Sequence, residues 1–425
     1  MKVSGSSLEE MNIHVPQGIE AQTELNLLCT PLPNIISAQS SKPNLVIAQD
    51  ALLGAYKMTQ GIQSITMEQF TNIACNLNFE REFSISKRIQ DIRRIFKKFG
   101  KKSQCYHGKG IISLFLPPTL NYSYKNDNDP LEPIVKISEG VLYEGTLDKT
   151  LLGSSFVSLI CIINKEYSPS EALFFIDCVQ YCSNHWFTLK TFSIHLGDCL
   201  VSSESKTLEI KEVINKCFLE ADVVQATTNH PAMRESRTNS SLNKARDVGL
   251  RLAKEALSIN NNFISTVKSG SKGDYFNIAQ ITGLLGQQNL KGERMKKTLN
   301  NGIRSLPQYQ YKLSSEEEYE SRGFISSSFI KGLNPKEFYF HAMSGREGIC
   351  DTALGTATSG YMQRRIVKLM EDILVRYDNT VRDATGKLLE SAFGGDMFDP
   401  VKTVRVNGSS QCCDVGRIID RLNQE

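Results

Sequence analysis

The sequence contains no C-x-x-C pair, no D-x-D-x-D cluster and no apolar run long enough to cross a bilayer. Zinc sites built from cysteine need closely spaced thiols, so no zinc site is predicted. Without a secretory signal, the eleven cysteines are predicted to be buried and reduced. A membrane-spanning helix needs roughly 20 apolar residues in a row, and the segment from Met1 lacks the pattern of a signal peptide. The sequence therefore predicts no contact with a membrane.

The chain also carries little net charge. Its 49 Lys and Arg residues nearly balance 46 Asp and Glu residues, which leaves a formal charge of +3. A charge this small does not by itself indicate a nucleic-acid-binding protein, so any such contact must come from local basic patches. With 40% apolar and 22% charged residues, the composition is typical of globular proteins. The length allows about three domains.

Helical and strand patterns are mixed along the chain, which predicts an α+β multidomain fold. Residues 105–165 are expected to be rich in strands, namely IISLFLPPTL, IVKISEG and VLYEGTL, separated by Gly, Pro and Asn turns. Ser168 and Pro169 mark the start of a helix. Two charged helices from Thr207 to about Ser258 are predicted to form an antiparallel hairpin.

A basic amphipathic helix is predicted from Phe83 to Lys102. Isoleucine and phenylalanine recur on one face, and eight lysines and arginines fill the rest. Contact with nucleic acid or another anionic surface is one interpretation. A solvated face, or a contact with another subunit, is the alternative.

A long helix is predicted from Asn334 to Lys368, with Pro335 at its first position and Glu337 completing a capping box. At 1.5 Å per residue it spans roughly 50 Å. It contains glycine at four interior positions, 345, 348, 355 and 360. Each glycine costs about 1 kcal/mol relative to alanine, so the pattern indicates a strut that crosses a space and bends. Periodicity alone also allows two helices broken near residues 345–348.

A loop of small residues precedes this helix, at Ser269 to Asp274, with Lys272 among glycines. Backbone amides in such a loop can hold phosphate while the ammonium screens its charge. The loop lacks the spacing of a P-loop, so an ordinary turn is the alternative.

The segment from Phe338 to Asp383, FYFHAMSGREGICDTALGTATSGYMQRRIVKLMEDILVRYDNTVRD, closely resembles the bridge helix of multisubunit DNA-directed RNA polymerases. In that family the bridge helix belongs to the largest subunit. SGSKG with the following NIAQITGLLGQQNLKGER resembles the family's funnel domain. NHW before FSIHLGD resembles its pore domain, with His195 where the family usually has glycine. The resemblance runs from about Glu10 to Asp399.

The resemblance implies four regions. Residues 1–35 correspond to a remnant of the active-site domain and residues 36–200 to the pore domain. Residues 201–333 correspond to the funnel domain. Residues 334–425 correspond to the bridge helix and the start of the following cleft domain.

On the bridge helix, the resemblance implies a contact with the template DNA. In the family the turn at Thr356 and Ala357 contacts the template base, and its small side chains let a flat base approach the backbone. Tyr361, Arg364 and Arg365 follow at helical spacing and would face DNA phosphates and bases. Surface ion pairing is the alternative for the two arginines.

Two residues on the same turn depart from the family pattern. Gly355 replaces the usual lysine and Thr358 replaces the usual acidic residue. A charge pair is therefore lost, and the helix is expected to kink more easily beside the template contact.

The resemblance also implies a path for nucleotides and an interface. Lys272 would lie where an incoming triphosphate passes. Amide side chains of the funnel would pack beside the bridge helix and hydrogen-bond two of its residues. The interface would consist of Gln280, Gln287, Gln288, Asn289, His341 and Glu347. A polar domain interface with no role in the reaction is the alternative, and His341 is expected to be structural.

The family's magnesium loop, N-A-D-F-D-G-D, has no counterpart in the 425 residues. It should directly precede the segment from Glu10 to Gln17, but Glu9 stands at the last aspartate position and the other two aspartates are missing. Two-metal phosphoryl transfer needs clustered carboxylates. We therefore expect Mg²⁺ in an assembled complex, with its ligands on another polypeptide, and no catalytic residue in this chain.

The sequence thus predicts part of a nucleotidyltransferase complex that makes RNA on a DNA template and is inactive as an isolated chain. The expected partners are the second-largest subunit, other polymerase subunits, a polypeptide carrying the aspartate loop, template DNA, RNA and nucleoside triphosphates. The sequence does not decide between the nucleus and a viral or cytoplasmic site of transcription. A non-catalytic structural or nucleic-acid-binding paralogue, or the product of an interrupted gene, is the alternative.

Overall fold

A computed structural model describes residues 2–6, 10–77, 85–100, 105–126, 132–200, 204–256, 261–406 and 409–423. The helices are α1 (Ile19–Leu27), α2 (Gln49–Thr59), α3 (Met67–Asn76), α4 (Ile85–Lys98), α5 (Gly108–Phe115), α6 (Lys149–Leu152), α7 (Leu159–Glu166), α8 (Pro169–Leu189), α9 (Leu196–Cys199), α10 (Glu204–Thr227), α11 (Pro231–Ala256), α12 (Asn262–Ser269), α13 (Tyr275–Thr282), α14 (Ser315–Ser321), α15 (Pro335–Met370) and α16 (Val415–Leu422).

The strands are β1 (Lys2–Ser6), β2 (Glu10–His14), β3 (Tyr122–Lys125), β4 (Ile134–Ser138), β5 (Val141–Glu144), β6 (Gly286–Gln287), β7 (Asn289–Leu290), β8 (Glu293–Arg294), β9 (Phe324–Ile325), β10 (Leu374–Val375), β11 (Val381–Arg382), β12 (Leu388–Glu390), β13 (Val404–Val406) and β14 (Ser409–Gln411). Within the described residues they form antiparallel sheets of two or three strands. Long helices beside small sheets confirm the predicted α+β class.

The largest hydrophobic core belongs to an N-terminal unit whose buried residues run from Ile35 to Trp186. Helices α2, α5, α7 and α8 pack together there, and the sheet β3-β4-β5 covers one side. Trp186, the single tryptophan of the chain, is 2% exposed in this core. Burial of large apolar side chains is the main stabilising term for such a unit.

A second core lies in a hairpin unit, formed by α10, α11 and the segment 284–325 packed on them. Phe218 of α10 stacks on Tyr319 of α14 with ring centroids 5.0 Å apart, and it meets Phe324 of β9 edge-on at 4.9 Å. All three rings are buried. The predicted antiparallel hairpin from Thr207 to about Ser258 is confirmed, apart from residues 257–258, which lie outside the described residues.

One predicted strand is wrong, because IISLF is the body of helix α5. His107 caps the helix by accepting the Gly110 backbone N–H at 3.1 Å. A Cβ at Gly108 would lie 1.8 Å from the Met58 carbonyl oxygen, so only glycine fits there. All eight residues of α5 are buried. A continuous apolar run fits a buried strand or a buried helix equally well, and periodicity cannot separate the two.

The basic helix is confirmed as α4, over Ile85–Lys98, while residues 83–84 and 101–102 lie outside the described part of the chain. Its Arg88 is 3% exposed. The guanidinium donates to the carbonyl oxygens of Ser113 at 3.0 Å, Leu116 at 3.2 Å, Gly140 at 2.8 Å and Glu139 at 3.3 Å. Burial lowers the pKa of Arg88 to about 10. Arg88 therefore holds α4 against α5 and the β4–β5 turn.

Replacing Arg88 by alanine is expected to lower the free energy of unfolding of the N-terminal unit by about 2–3 kcal/mol, because buried carbonyl groups lose a charged donor. Urea denaturation followed by Trp186 fluorescence measures this. Arg94→Ala on the same helix, whose side chain is 67% exposed, is the matched control, with an expected change within about 0.5 kcal/mol. Equal effects of the two variants would contradict the anchoring role of Arg88.

The chain after α15 returns to the N-terminal unit. Ser41 Oγ donates to the Pro400 carbonyl oxygen at 2.6 Å. Lys165 Nζ donates to the Thr403 carbonyl oxygen, and Arg417 of α16 pairs with Glu166 of α7. These contacts tie the far end of α15 to the N-terminal unit through residues 400–417. No helix in the described ranges is long and apolar enough to span a membrane.

Candidate functional site

The predicted long helix is confirmed as α15, a single helix of 36 residues. At 1.5 Å per residue it extends about 54 Å. Pro335 occupies the first turn, and the Glu337 carboxylate accepts the Asn334 backbone N–H at 2.9 Å. Phe340 is 2% exposed and packs with Met295 and Tyr309. The first turns of α15 are thus anchored on the segment that belongs to the hairpin unit.

Beyond this anchor the helix is surrounded by open space. Every residue from Gly348 to Met370 is exposed. A Cβ placed on any of the four helix glycines, Gly345, Gly348, Gly355 and Gly360, would meet no atom within 4 Å. Close packing within the chain therefore does not require glycine at these positions, and the glycines lower helix stability without a compensating contact.

The five residues predicted to contact the template all lie on this exposed stretch. At about 100° per residue, Thr356, Ala357, Tyr361, Arg364 and Arg365 share one half of the helix surface. The Arg365 guanidinium lies 5.7 Å from the centre of the Tyr361 ring, within the range of a cation–π contact. The Thr356 hydroxyl donates to the Thr352 carbonyl oxygen at 2.7 Å. The geometry leaves this half-surface free for a ligand.

Two contacts join α15 to the segment around β7. The His341 Nδ1 atom lies 3.3 Å from Oε1 of Gln288. Both carboxylate oxygens of Glu347 accept the backbone N–H of Lys291, at 2.8 and 3.0 Å. Glu347 is therefore held by a main-chain donor and not by a side-chain amide. Lys291 has a left-handed φ of 52°, and sequence reasoning did not identify it.

Gln280 and Gln287, two of the other predicted interface residues, form their hydrogen bonds away from α15. Nε2 of Gln287 donates to the carbonyl oxygens of Gln288 and Arg322, both at 2.9 Å. Gln280 uses its backbone carbonyl to accept the Phe329 N–H at 3.2 Å. Among the described residues, Oε1 of Gln287 and Oδ1 of Asn289 are buried without a hydrogen-bond partner, which is costly in a folded protein.

Lys272 lies at the tip of an exposed loop between α12 and α13. Gly270 and Gly273 have left-handed φ values of 74° and 71°, which favour glycine. The Ser271 hydroxyl donates to the Thr266 carbonyl oxygen at 3.1 Å. The loop presents the Lys272 side chain to solvent, and no hydrogen bond or ion pair among the described residues joins it to α15.

Beneath the interface, a charged cluster in the hairpin unit was missed by sequence reasoning. Glu235 of α11 accepts two hydrogen bonds from Arg294, at 2.7 and 2.8 Å, and two from Arg322, both at 3.0 Å. The Arg294 side chain is 2% exposed. Burial acts to raise the pKa of Glu235, but the hydrogen bonds and charges of the two arginines outweigh it and lower that pKa. Arg294 is the last residue of NIAQITGLLGQQNLKGER, the segment that resembles the funnel domain, but its partner Glu235 is distant in sequence.

The described residues do not fit a magnesium site. No group of three or more His, Cys, Asp or Glu side chains among them is arranged to hold a metal ion. Glu9, which stands at a family aspartate position, lies outside the described residues. No step of a reaction is therefore assigned to a metal held by this chain.

Models of three RNA polymerase Rpb1 domains match consecutive parts of the chain. Domain 3 matches residues 34–199, domain 4 matches residues 221–325 and domain 5 matches residues 332–420. Together these ranges cover most of the chain, including α11, the Lys272 loop and α15.

Two viral proteins are similar to the chain. One, from Invertebrate iridescent virus 6, is assigned as a DNA-directed RNA polymerase II subunit RPB1 homolog. It is 44% identical over 440 residues, covering 98% of this chain and 42% of the relative. The other, from Frog virus 3 (isolate Goorha), is assigned as DNA-directed RNA polymerase 008R and is 32% identical, covering 92% of this chain and 28% of the relative. The chain spans less than half the length of either relative. The three domain matches and the similarity to these relatives show that the chain belongs to the family of the largest RNA polymerase subunit, Rpb1.

Proposed function

We propose that this chain works within a DNA-directed RNA polymerase, where it contributes the funnel through which nucleotides reach the active centre and the bridge helix. The observation that carries the proposal is α15, anchored at one end on the hairpin unit and exposed on all sides from Gly348 to Met370. The large apolar side chains of Ile349, Leu354 and Tyr361 are 73%, 70% and 66% exposed there. Contiguous exposed apolar surface is typical of an interaction site.

In this proposal the exposed half-surface of α15 holds the template. Thr356 and Ala357 have side chains small enough for a base to approach the helix backbone. Arg364 and Arg365 supply positive charge for DNA phosphates, and Tyr361 supplies a ring for stacking. The polymerase reaction forms a phosphodiester bond and releases pyrophosphate, and these residues position the template strand during that step.

The Lys272 loop acts on the incoming nucleotide. Lys272 is exposed on a loop held by two left-handed glycines, and its ammonium screens the negative charge of a passing triphosphate. The Glu347–Lys291 and His341–Gln288 contacts keep α15 in register with this path. The carboxylates for Mg²⁺ come from a polypeptide outside the 425 residues, so we propose no catalytic residue in this chain.

Affinity purification of this chain from cells that express it, followed by mass spectrometry, tests whether it assembles into a polymerase complex. The second-largest polymerase subunit and a polypeptide with the N-A-D-F-D-G-D loop are expected to co-purify. RNA synthesis on a DNA template is expected from the purified complex and not from the isolated chain. A complex that contains neither partner would support a non-catalytic paralogue and contradict the proposal.

A double variant tests the template surface. Arg364→Ala with Arg365→Ala is expected to lower the rate of RNA chain extension by the purified complex at least 10-fold, because each of the two contacts to DNA is worth about 1–3 kcal/mol. Lys312→Ala with Lys331→Ala removes the same charge from exposed positions off α15 and is expected to leave the rate within about 2-fold. Unchanged extension by the arginine variant, in a complex of unchanged subunit composition, would argue against the template contact.

A further inference from the structure

A cavity of about 610 Å³ lies where the chain after α15 returns to the N-terminal unit. One wall is formed by residues 156–157, helix α7 and Pro169 at the start of α8, and the other by residues 401–404 and 412–418. The volume falls within the range of about 300–1,000 Å³ that is typical of small-molecule sites. No residue of α15 or of the Lys272 loop lines the cavity, so it is separate from the surfaces assigned to the template and the nucleotide.

The inner part of the cavity is apolar. Cys161 and Ile162 of α7 are 2% and 9% exposed and belong to the core of the N-terminal unit. Val401 and Val404 are half-buried on the opposite wall. An apolar group placed between these walls is removed from water on both sides, which is the main favourable term in binding.

Three cationic side chains line the same cavity, those of Lys165, Lys402 and Arg417. The Lys165 Nζ atom donates to the Thr403 carbonyl oxygen, and Lys402 is exposed. Neither lysine forms an ion pair with a carboxylate of the described residues. Two ammonium groups at the cavity are therefore available to an anion from outside the chain.

The two carboxylates of the cavity wall are already engaged. Glu166 pairs with Arg417, and the Asp414 carboxylate accepts the Arg417 backbone N–H at 3.1 Å. The Nη2 atom of Arg417 is buried without a hydrogen-bond partner among the described residues, so one donor of this guanidinium is unused. Since cations bind carboxylate and sulfonate groups through charge-assisted hydrogen bonds, the wall favours an anionic ligand over a cationic one.

We propose that this cavity binds a small amphipathic anion, a molecule with an apolar body and one carboxylate or sulfonate group. The body packs between α7 and residues 401–404, and the anionic group pairs with Lys165 and Lys402. Because the N-terminal unit supplies one wall and the returning segment the other, the bound molecule holds the two together. The inference does not depend on the proposed function, since it uses none of the residues assigned to RNA synthesis.

The test titrates the full 425-residue chain with two fluorescent probes, 8-anilino-1-naphthalenesulfonate and N-phenyl-1-naphthylamine, which is the same ring system without the sulfonate. Lys165→Gln with Lys402→Gln is expected to weaken binding of the sulfonate at least about 10-fold and of the neutral probe less than about 2-fold, because only the sulfonate loses charged donors. Lys312→Gln with Lys331→Gln, at exposed positions off the cavity, is the matched control and is expected to bind both probes as the natural chain does.

A second variant locates the probe. Val404→Trp fills the cavity and is expected to weaken binding of both probes about 10-fold. Ile62→Trp, the matched control, places the same ring at a position that is 62% exposed and off the cavity, and it is expected to change neither affinity. Circular dichroism at 222 nm establishes that the variants are folded.

Two further measurements identify the ligand class and the affected segment. Decanoate and 1-naphthoate are each expected to displace the sulfonate probe, and the stronger competitor distinguishes an alkyl acid from an aromatic one. Saturation with the sulfonate probe is expected to slow amide hydrogen exchange in residues 401–404 and 412–418 and to leave residues 348–370 of α15 unchanged.

Three results would overturn the proposal. Equal losses of sulfonate affinity in the two lysine pairs would show that overall charge, and not the cavity, attracts the probe. Full binding to the Val404→Trp variant would place the probe elsewhere, for example on the exposed apolar residues of α15. Loss of probe binding when the chain is in its purified complex would make the cavity an interface with a partner protein.

Discussion

Replacing Glu235 by glutamine is expected to lower the free energy of unfolding of the hairpin unit by about 3–5 kcal/mol. The carboxylate is the shared partner of Arg294 and Arg322, which donate four hydrogen bonds to it. Without its charge, the Arg294 guanidinium, whose side chain is 2% exposed, is left as a buried and uncompensated cation. Removing one partner of a buried pair costs more than the pair contributes on balance, since the other charge stays desolvated.

The same cluster gives a pH dependence with a definite sign. The pKa of Glu235 in the folded chain lies below its ordinary value of 4.5, so the folded state binds this proton less readily than the unfolded state. The stability that Glu235 contributes is present above pH 4.5 and is lost as the pH falls through the folded pKa. The Glu235→Gln variant is expected to lack this contribution at every pH.

Urea denaturation at pH 7, followed by circular dichroism at 222 nm, measures the effect. Glu220→Gln is the matched control, because Glu220 forms an exposed pair with Lys244 on the same hairpin and such pairs contribute at most about 1 kcal/mol. The Trp186 fluorescence transition reports the N-terminal unit and is expected to move little in either variant. If the two glutamine variants lose equal stability, the buried cluster is not what holds the hairpin unit together.

Replacing all four glycines of α15 by alanine is expected to stabilise the helix by about 4 kcal/mol, at about 1 kcal/mol for each position. No atom lies within 4 Å of an added Cβ at Gly345, Gly348, Gly355 or Gly360, so alanine introduces no clash within the chain. Amide hydrogen exchange across residues 345–360 is expected to slow about 1000-fold where opening involves all four sites. RNA chain extension by the assembled complex is expected to fall at least 10-fold, because a stiffer helix resists bending.

The matched control is Gly18→Ala, the same change at a loop glycine that also has open space around it. Its exchange rates in α15 and its extension rate are expected to match those of the natural chain. Slower exchange in the four-alanine variant with full RNA synthesis would show that bending of α15 is not used. Loss of partner subunits from the variant complex would show instead that a partner packs directly on the glycines.

Elements with local signals were predictable from the sequence. Ser168 Oγ accepts the Glu171 N–H and Glu337 caps α15, and both caps were readable because their partners lie three residues apart. The fully buried α5 was misread as a strand, because its periodicity disappears when every side of a helix is covered. The four regions implied by the family resemblance stay predictions.

In the candidate site, too, some residues could be predicted from the sequence and others could not. The exposed residues of α15 could be named because family resemblance carries their positions. The Lys291 backbone contact with Glu347 spans 56 positions, and the Glu235 cluster spans 59 and 87 positions. Contacts at such separations are fixed by the packing of whole units, and no local pattern encodes them. A main-chain donor such as that of Lys291 carries no side-chain identity at all.

Contacts on either side of α15 link the helix to both the hairpin unit and the N-terminal unit. One end is attached to the hairpin unit through Glu347 and Phe340, and the other returns to the N-terminal unit through Pro400, Thr403 and Arg417. A bend in the middle shortens the distance between the two ends of the helix. With both ends attached, that shortening becomes tension, which draws the two units together or breaks the weaker tether. A bend of α15 at its glycines is therefore expected to act on both units.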